Sequence, residues 1–104
     1  MIDLIVIGAG LSGMMAAYTA AKAGLRVRIV AKGLGSLHWS AGTIDVLGYL
    51  PRAYGEGVKR PFSTIPSLHP EHPYALMGEE AITHALATFV ELSKEIGIPY
   101  GRAP

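Results

Sequence analysis

The sequence predicts an α/β fold, and three observations carry that expectation. Leu4-Ile5-Val6-Ile7 is an uninterrupted apolar run, the pattern of a strand inside a parallel sheet. It leads straight into Gly8-Ala9-Gly10-Leu11-Ser12-Gly13, a G-x-G-x-x-G stretch that opens a segment rich in Ala and Met. Leu25-Arg26-Val27-Arg28-Ile29-Val30 then alternates apolar and basic residues before turning apolar, which reads as a second strand.

The elements follow in order. Residues 2–7 make the first strand. The helix is expected from Leu11 to Ala23, since Ala and Met are good helix formers, and Gly24 is its natural stop. With the second strand at residues 25–30, the span 2–33 forms one right-handed βαβ unit, the N-terminal portion of a Rossmann-like FAD/NAD(P)-binding domain. In such a unit Gly8 permits the tight turn, Gly10 admits a phosphate close to the backbone, and Gly13 lets the helix lie against the sheet. The N–H groups of Ala9, Leu11 and Ser12 belong to the same turn, at the positive end of the helix dipole. The competing reading is a glycine-rich turn that packs and binds nothing.

Where a dinucleotide site places Asp or Glu against a ribose, this chain has Ala31-Lys32-Gly33, and no carboxylate lies between Asp3 and Asp45. Lys32 can meet a phosphate or simply be a solvated lysine. The stretch 33–50 reads as a loop lining a flat ligand. Ser40-Ala41-Gly42-Thr43 are small, so the backbone can come close and offer N–H and O–H donors. Leu37, Trp39, Ile44 and Leu47 are too apolar for a loop lying free in water. Residues 51–77 read as an irregular excursion, because Pro51, Pro61, Pro66, Pro70 and Pro73 fall within them. His69-Pro70-Glu71-His72 contains metal-capable side chains without a shared ligand spacing. From 78 to 96 the pattern is helical, with Ile82, Leu86, Phe89, Val90 and Ile96 on one face and Gly97 at the end. His84 sits between apolar positions and reads as structural, and Ile98-Pro99-Tyr100 begins an extended segment.

Composition narrows the function classes. The chain has 104 residues, half of them hydrophobic and 16% charged, with a net charge of +1 and no basic run. One domain is the most this length supports, and nucleic acid is not an expected partner. Without cysteine the chain has no thiolate metal site, no Cys nucleophile and no Cys-ligated iron–sulfur cluster of its own. Leu4 to Ala21 is free of charge, but glycines interrupt it and no Lys or Arg precedes it, so neither a signal peptide nor a membrane span is expected.

The order of Gly8–Gly13, Ile29-Val30-Ala31-Lys32-Gly33 and Ser40-Ala41-Gly42-Thr43 resembles the front of flavoproteins of the succinate dehydrogenase and fumarate reductase type. More specifically, Ser36-Leu37-His38-Trp39-Ser40-Ala41-Gly42-Thr43-Ile44-Asp45-Val46-Leu47 is similar to the B subunits of anaerobic glycerol-3-phosphate dehydrogenases. So are Leu50-Pro51 and His72-Pro73-Tyr74-Ala75-Leu76. That family also lacks an acidic residue after its second strand.

The resemblance implies a flavin, FMN or FAD, with contacts at Gly8, Ala9, Gly10, Leu11, Ser12, Gly13, Ala31, Lys32, Gly33, Ser40, Ala41, Gly42 and Thr43. It implies oxidation of glycerol 3-phosphate to dihydroxyacetone phosphate with electrons passed to quinone. The implied partners are a catalytic FAD subunit and a membrane-docking iron–sulfur subunit, which place the protein in the cytoplasm, at the inner face of the plasma membrane.

No catalytic residue is identified, His38 included. The chain by itself reads as an inactive N-terminal fragment of a larger flavin domain, because two strands and two helices cannot cover both faces of an apolar strand. Two other readings stay open at this point: an NAD(P)-binding module with Lys32 on a 2′-phosphate, and a non-catalytic subunit whose nucleotide site is vestigial.

Overall fold

In this computed structural model, which describes residues 1–51 and 55–101, the chain divides into two compact units, Met1–Ile44 and Asp45–Pro104.

The first unit is the βαβ motif. β1 (Leu4–Ile7) and β2 (Val27–Val30) pair in parallel, with Leu4 opposite Val27 and Ile7 opposite Val30. Both strands are shorter than the expected residues 2–7 and 25–30, and β1 coincides with the apolar run Leu4-Ile5-Val6-Ile7. Asp3 and Arg26 lie just before them and are joined through their side chains, while the Gly8 N–H donates to the Val30 carbonyl at 2.8 Å just after β1. Helix α1 (Leu11–Lys22) connects the strands and buries Ala17. It ends as expected at Gly24, whose φ is +86°. The Gly24 N–H donates to the Ala21 carbonyl and the Leu25 N–H to the Ala20 carbonyl, the paired bonds of a Schellman closure.

Ile5 and Ile7 lie on the sheet face opposite Val6, whose side chain meets α1 at Gly13. They are 58% and 88% exposed, so the apolar run of β1 covers only one of its faces within the described residues.

The second unit carries its own core. Ile65, Leu68 and Ile82 are buried, with Val46, Leu47, Leu50, Phe62, Tyr74, Ala75 and Leu86 packed around them. The expectation of an irregular 51–77 needs correction over 61–67 and 73–77, where the chain is helical, while 55–60 and 68–72 form no helix or strand and 52–54 lie outside the described residues. Pro61 opens helix α2 (Pro61–Thr64), Pro66 sits in the 3₁₀ turn Ile65–Ser67, and Pro73 opens helix α3 (Pro73–Glu95). A proline in the first turn lacks only an N–H that would have no partner, so these prolines start helices and do not merely break them. Helix α3 therefore begins before residue 78. Its backbone leaves helical geometry at Gly78 (φ 77°, ψ 164°), and Glu79 starts the second run.

Ile82, Leu86, Phe89 and Val90 face inward, but Ile96 is 61% exposed, because the helix ends there and Gly97 (φ +78°) turns the chain away. His84 is exposed on α3 and is not held between apolar side chains, since its position falls on the solvent side of the helix. Beyond Gly97 no strand forms among the described residues. Instead the Ile98 N–H donates to the Ser93 carbonyl, the Tyr100 N–H donates to the buried Ser93 hydroxyl, and the Tyr100 ring meets Phe89 edge-on at 5.0 Å.

Candidate functional site

The glycines of the turn between β1 and α1 are there for different reasons. Gly8 has φ +105°, a conformation that side chains rarely adopt, and the space around it is open. Gly13 is excluded from change by packing. A Cβ there would run into the Gly8 carbonyl oxygen and lie 3.3 Å from Val6 Cγ1, so the helix sits close on the strand.

Gly10 fits neither case. As N-cap of α1 it has an ordinary extended backbone (φ −78°, ψ 178°), and nothing lies within 4 Å of where its Cβ would be. Neither strain nor packing calls for glycine at this position. What remains is an open cradle beside the helix N-terminus that a side chain would fill.

The electrostatics of the cradle suit an anion. The first bond of α1 runs from the Met14 N–H to the Gly10 carbonyl at 3.0 Å, so the N–H groups of Leu11, Ser12 and Gly13 precede the hydrogen-bonded ladder. No side chain caps this end and no acidic residue occupies its first turn. The positive end of the dipole is thus uncapped and open, and the residues present fit a phosphate.

The strand end after β2 closes on the same turn. Gly35 has φ +71°, and its Cβ position would lie 2.7 Å from the Ala9 carbonyl oxygen. Sequence reasoning passed over Gly35 in favour of Gly33, which has nothing within 4 Å of its Cβ position. The available signal was the second glycine of Gly33-Leu34-Gly35, directly after a strand that must return to the turn. Ala31, Lys32 and Gly33 are exposed at this strand end, and Lys32 has no ion-pair partner among the described residues.

Ser40, Ala41, Gly42 and Thr43 are exposed and follow the 3₁₀ turn Leu37–Trp39. The Ser40 hydroxyl donates to the Leu37 carbonyl at 2.9 Å, closing that turn. Gly42 has φ +73°. No hydrogen bond links Ser40, Ala41 or Gly42 to the glycine turn among the described residues. Trp39 is 82% exposed despite its apolar bulk, with the His38 ring 5.0 Å away.

At the other end of the sheet, the Asp3 carboxylate accepts from Arg26. The Arg26 side-chain bonds, followed by its backbone N–H, hold the Asp3 carboxyl below the usual carboxylate range. Asp3 in turn raises the Arg26 guanidinium. This pair ties the strand starts together, far from the carboxyl ends where α/β sheets bind ligands.

The two histidines of 69–72 have local duties. His69 Nδ1 accepts from the Glu71 N–H at 3.2 Å, and His72 Nδ1 caps α3 by accepting from the Tyr74 N–H at 3.1 Å. Among the described residues no group of three or more His, Asp or Glu is placed to hold a metal, and no helix is long and apolar enough to cross a membrane.

Residues 3–104 match the FAD binding domain family. The chain is 41% identical over 100 residues to the B subunit of anaerobic glycerol-3-phosphate dehydrogenase from Vibrio vulnificus (strain YJ016), covering 93% of this chain and 22% of that protein. To the protein of that name from Vibrio cholerae (strain M66-2) it is 37% identical over 105 residues, 98% of this chain and 24% of the relative. A probable B subunit of such an enzyme from Halobacterium salinarum is 41% identical over 87 residues, 84% and 20% of the two chains. The chain thus spans about a fifth of the length of the curated relatives it matches. No solved structure is significantly similar to it. An open phosphate cradle between a parallel strand and a helix is what a flavin dinucleotide needs, and the chain belongs to the FAD binding domain family.

Proposed function

We propose that this chain is the flavin-phosphate-binding portion of an oxidoreductase subunit of the anaerobic glycerol-3-phosphate dehydrogenase B type. One observation carries the reading: Gly10 is glycine where neither backbone strain nor packing demands it, beside uncapped N–H groups. Gly8, Ala9, Gly10, Leu11, Ser12 and Gly13 hold the phosphate through backbone N–H groups. Ala31, Lys32 and Gly33 flank it from the end of β2, with Lys32 as the one cation of that strand end. Ser40, Ala41, Gly42 and Thr43 supply a small-residue wall for the flat ring system.

In the whole protein the reaction is oxidation of the secondary alcohol of glycerol 3-phosphate to the ketone of dihydroxyacetone phosphate. Two electrons and two protons leave the substrate, and the electrons pass to quinone. A bound flavin supplies two-electron acceptance. The chain's own residues bind and orient it. The protein works alongside a catalytic FAD subunit and an iron–sulfur subunit that docks at the inner face of the plasma membrane.

The full chain, purified and reconstituted with FMN or FAD, is expected to retain one of them after gel filtration and to be yellow. A folded, colourless product that takes up neither overturns the proposal. A second reading places a nicotinamide dinucleotide at the same site, with its 2′-phosphate on Lys32, which is exposed and has no ion-pair partner among the described residues. Tight NADPH binding without NADH or flavin binding would establish that reading instead.

A further inference from the structure

We propose that Gly35 is a positioning residue for the phosphate turn, setting the direction of the N–H groups around Gly10 from behind. The inference rests on the flavin-phosphate reading of that turn. A Cβ on Gly35 would stand 2.7 Å from the Ala9 carbonyl oxygen, 2.9 Å from the Ala9 carbonyl carbon and 2.9 Å from the Gly10 nitrogen.

Those three atoms belong to a single peptide unit, so Gly35 lies flat against the Ala9–Gly10 peptide. All three are backbone, so no side-chain rotation relieves the contact. A methyl group at 35 has to push that peptide towards the cradle or lift the 33–36 segment off the turn. Either movement reaches the Gly10 N–H and the first turn of α1, because Gly10 is the N-cap. The role is separate from the G-x-G-x-x-G stretch, whose glycines act within the turn itself.

Gly24 isolates the contact from the conformation. It has a comparable left-handed φ of +86°, yet nothing lies within 4 Å of its Cβ position. Gly24→Ala therefore introduces backbone strain alone, whereas Gly35→Ala introduces strain and a collision with the turn.

The test titrates FMN and riboflavin into the full chain carrying the natural sequence, Gly35→Ala or Gly24→Ala, with melting followed in parallel. Riboflavin has the same ring system and no phosphate. Gly35→Ala is expected to bind FMN about tenfold more weakly, the loss of one charge-assisted hydrogen bond. Its riboflavin affinity stays unchanged, and Gly24→Ala lowers the Tm with both affinities kept. Equal weakening of FMN and riboflavin in Gly35→Ala, or no weakening of either, overturns the positioning role alone. A natural chain that binds FMN no better than riboflavin overturns the phosphate reading, and this inference with it.

Hydrogen exchange in the natural chain tests the same point should Gly35→Ala not fold. FMN, and not riboflavin, is expected to protect residues 33–36 together with 8–13. Protection of 8–13 alone overturns the proposal.

Discussion

Arg26 grips Asp3 with its Nη2 donating to Oδ1 at 2.8 Å and its Nε donating to Oδ2 at 2.9 Å, while its own backbone N–H adds a third bond at 2.9 Å. The two residues stand 23 positions apart and meet where β1 and β2 begin. Because these bonds depress the Asp3 carboxyl, the unfolded chain takes up its proton more readily than the folded one. The pair's contribution is therefore present above the unfolded carboxyl's pKa and is lost as pH falls through the folded value. Asp3→Asn is expected to lower the Tm slightly at neutral pH, with the gap to the natural chain closing in acid. Thermal melts across a pH series check this, and a gap independent of pH would count against it. Solvent exposure keeps the effect small.

Gly10 and Gly13 separate binding from folding. Gly10→Ser places a good N-cap on an extended backbone with open space around it, so the Tm is expected to hold or rise. The same hydroxymethyl group fills the cradle, and flavin retention should fall. Gly13→Ala drives a methyl into the Gly8 carbonyl and is expected to cost about 1–3 kcal/mol by denaturant unfolding. Loss of flavin from a Gly10→Ser chain of undiminished stability is the result that matters.

His72 gives the His72-Pro73-Tyr74-Ala75-Leu76 run a structural meaning. Its Nδ1 accepts the Tyr74 N–H, its ring stands 5.3 Å from the Tyr74 ring, and Pro73 occupies the first helical position. His72→Ala is expected to destabilise the second unit by about 1 kcal/mol, and His72→Asn to restore most of that, since Asn is a strong N-cap. Urea unfolding of the two variants is the measurement. Equal losses in both would remove the capping role.

Gly78 carries φ 77° and ψ 164°, in a region open essentially to glycine alone, and no atom lies within 4 Å of its Cβ position. With no neighbour to crowd a side chain there, backbone strain alone opposes substitution. Gly78→Ala is expected to destabilise by about 1–3 kcal/mol or to convert the break into continuous helix. Circular dichroism and denaturant unfolding distinguish the two outcomes.

Much of the first unit was legible in the residues. The apolar Leu4–Ile7 run, the spacing of Gly8, Gly10 and Gly13, and Gly24 as a stop are local signals, and local geometry answers to them. The prolines of the second unit misled because proline carries two meanings, helix breaker and first helical residue. Only the neighbours that Pro61, Pro66 and Pro73 find on folding select between them. Ser93 carried no signal at all. Its buried hydroxyl donates to the Val90 carbonyl and accepts the Tyr100 N–H, a task visible only once the tail has turned back at Gly97.

The sequence by itself determined the strand–turn–helix–strand order and the glycine turn, because side-chain periodicity and the absence of a Cβ act within a few residues. It also sufficed to identify the family. The tertiary structure alone decided that Gly35 backs the Ala9–Gly10 peptide, that Arg26 clasps Asp3, and that Ile65, Leu68 and Ile82 form a core. Each of those depends on where the chain returns after a turn, and contacts between distant residues are set by that path.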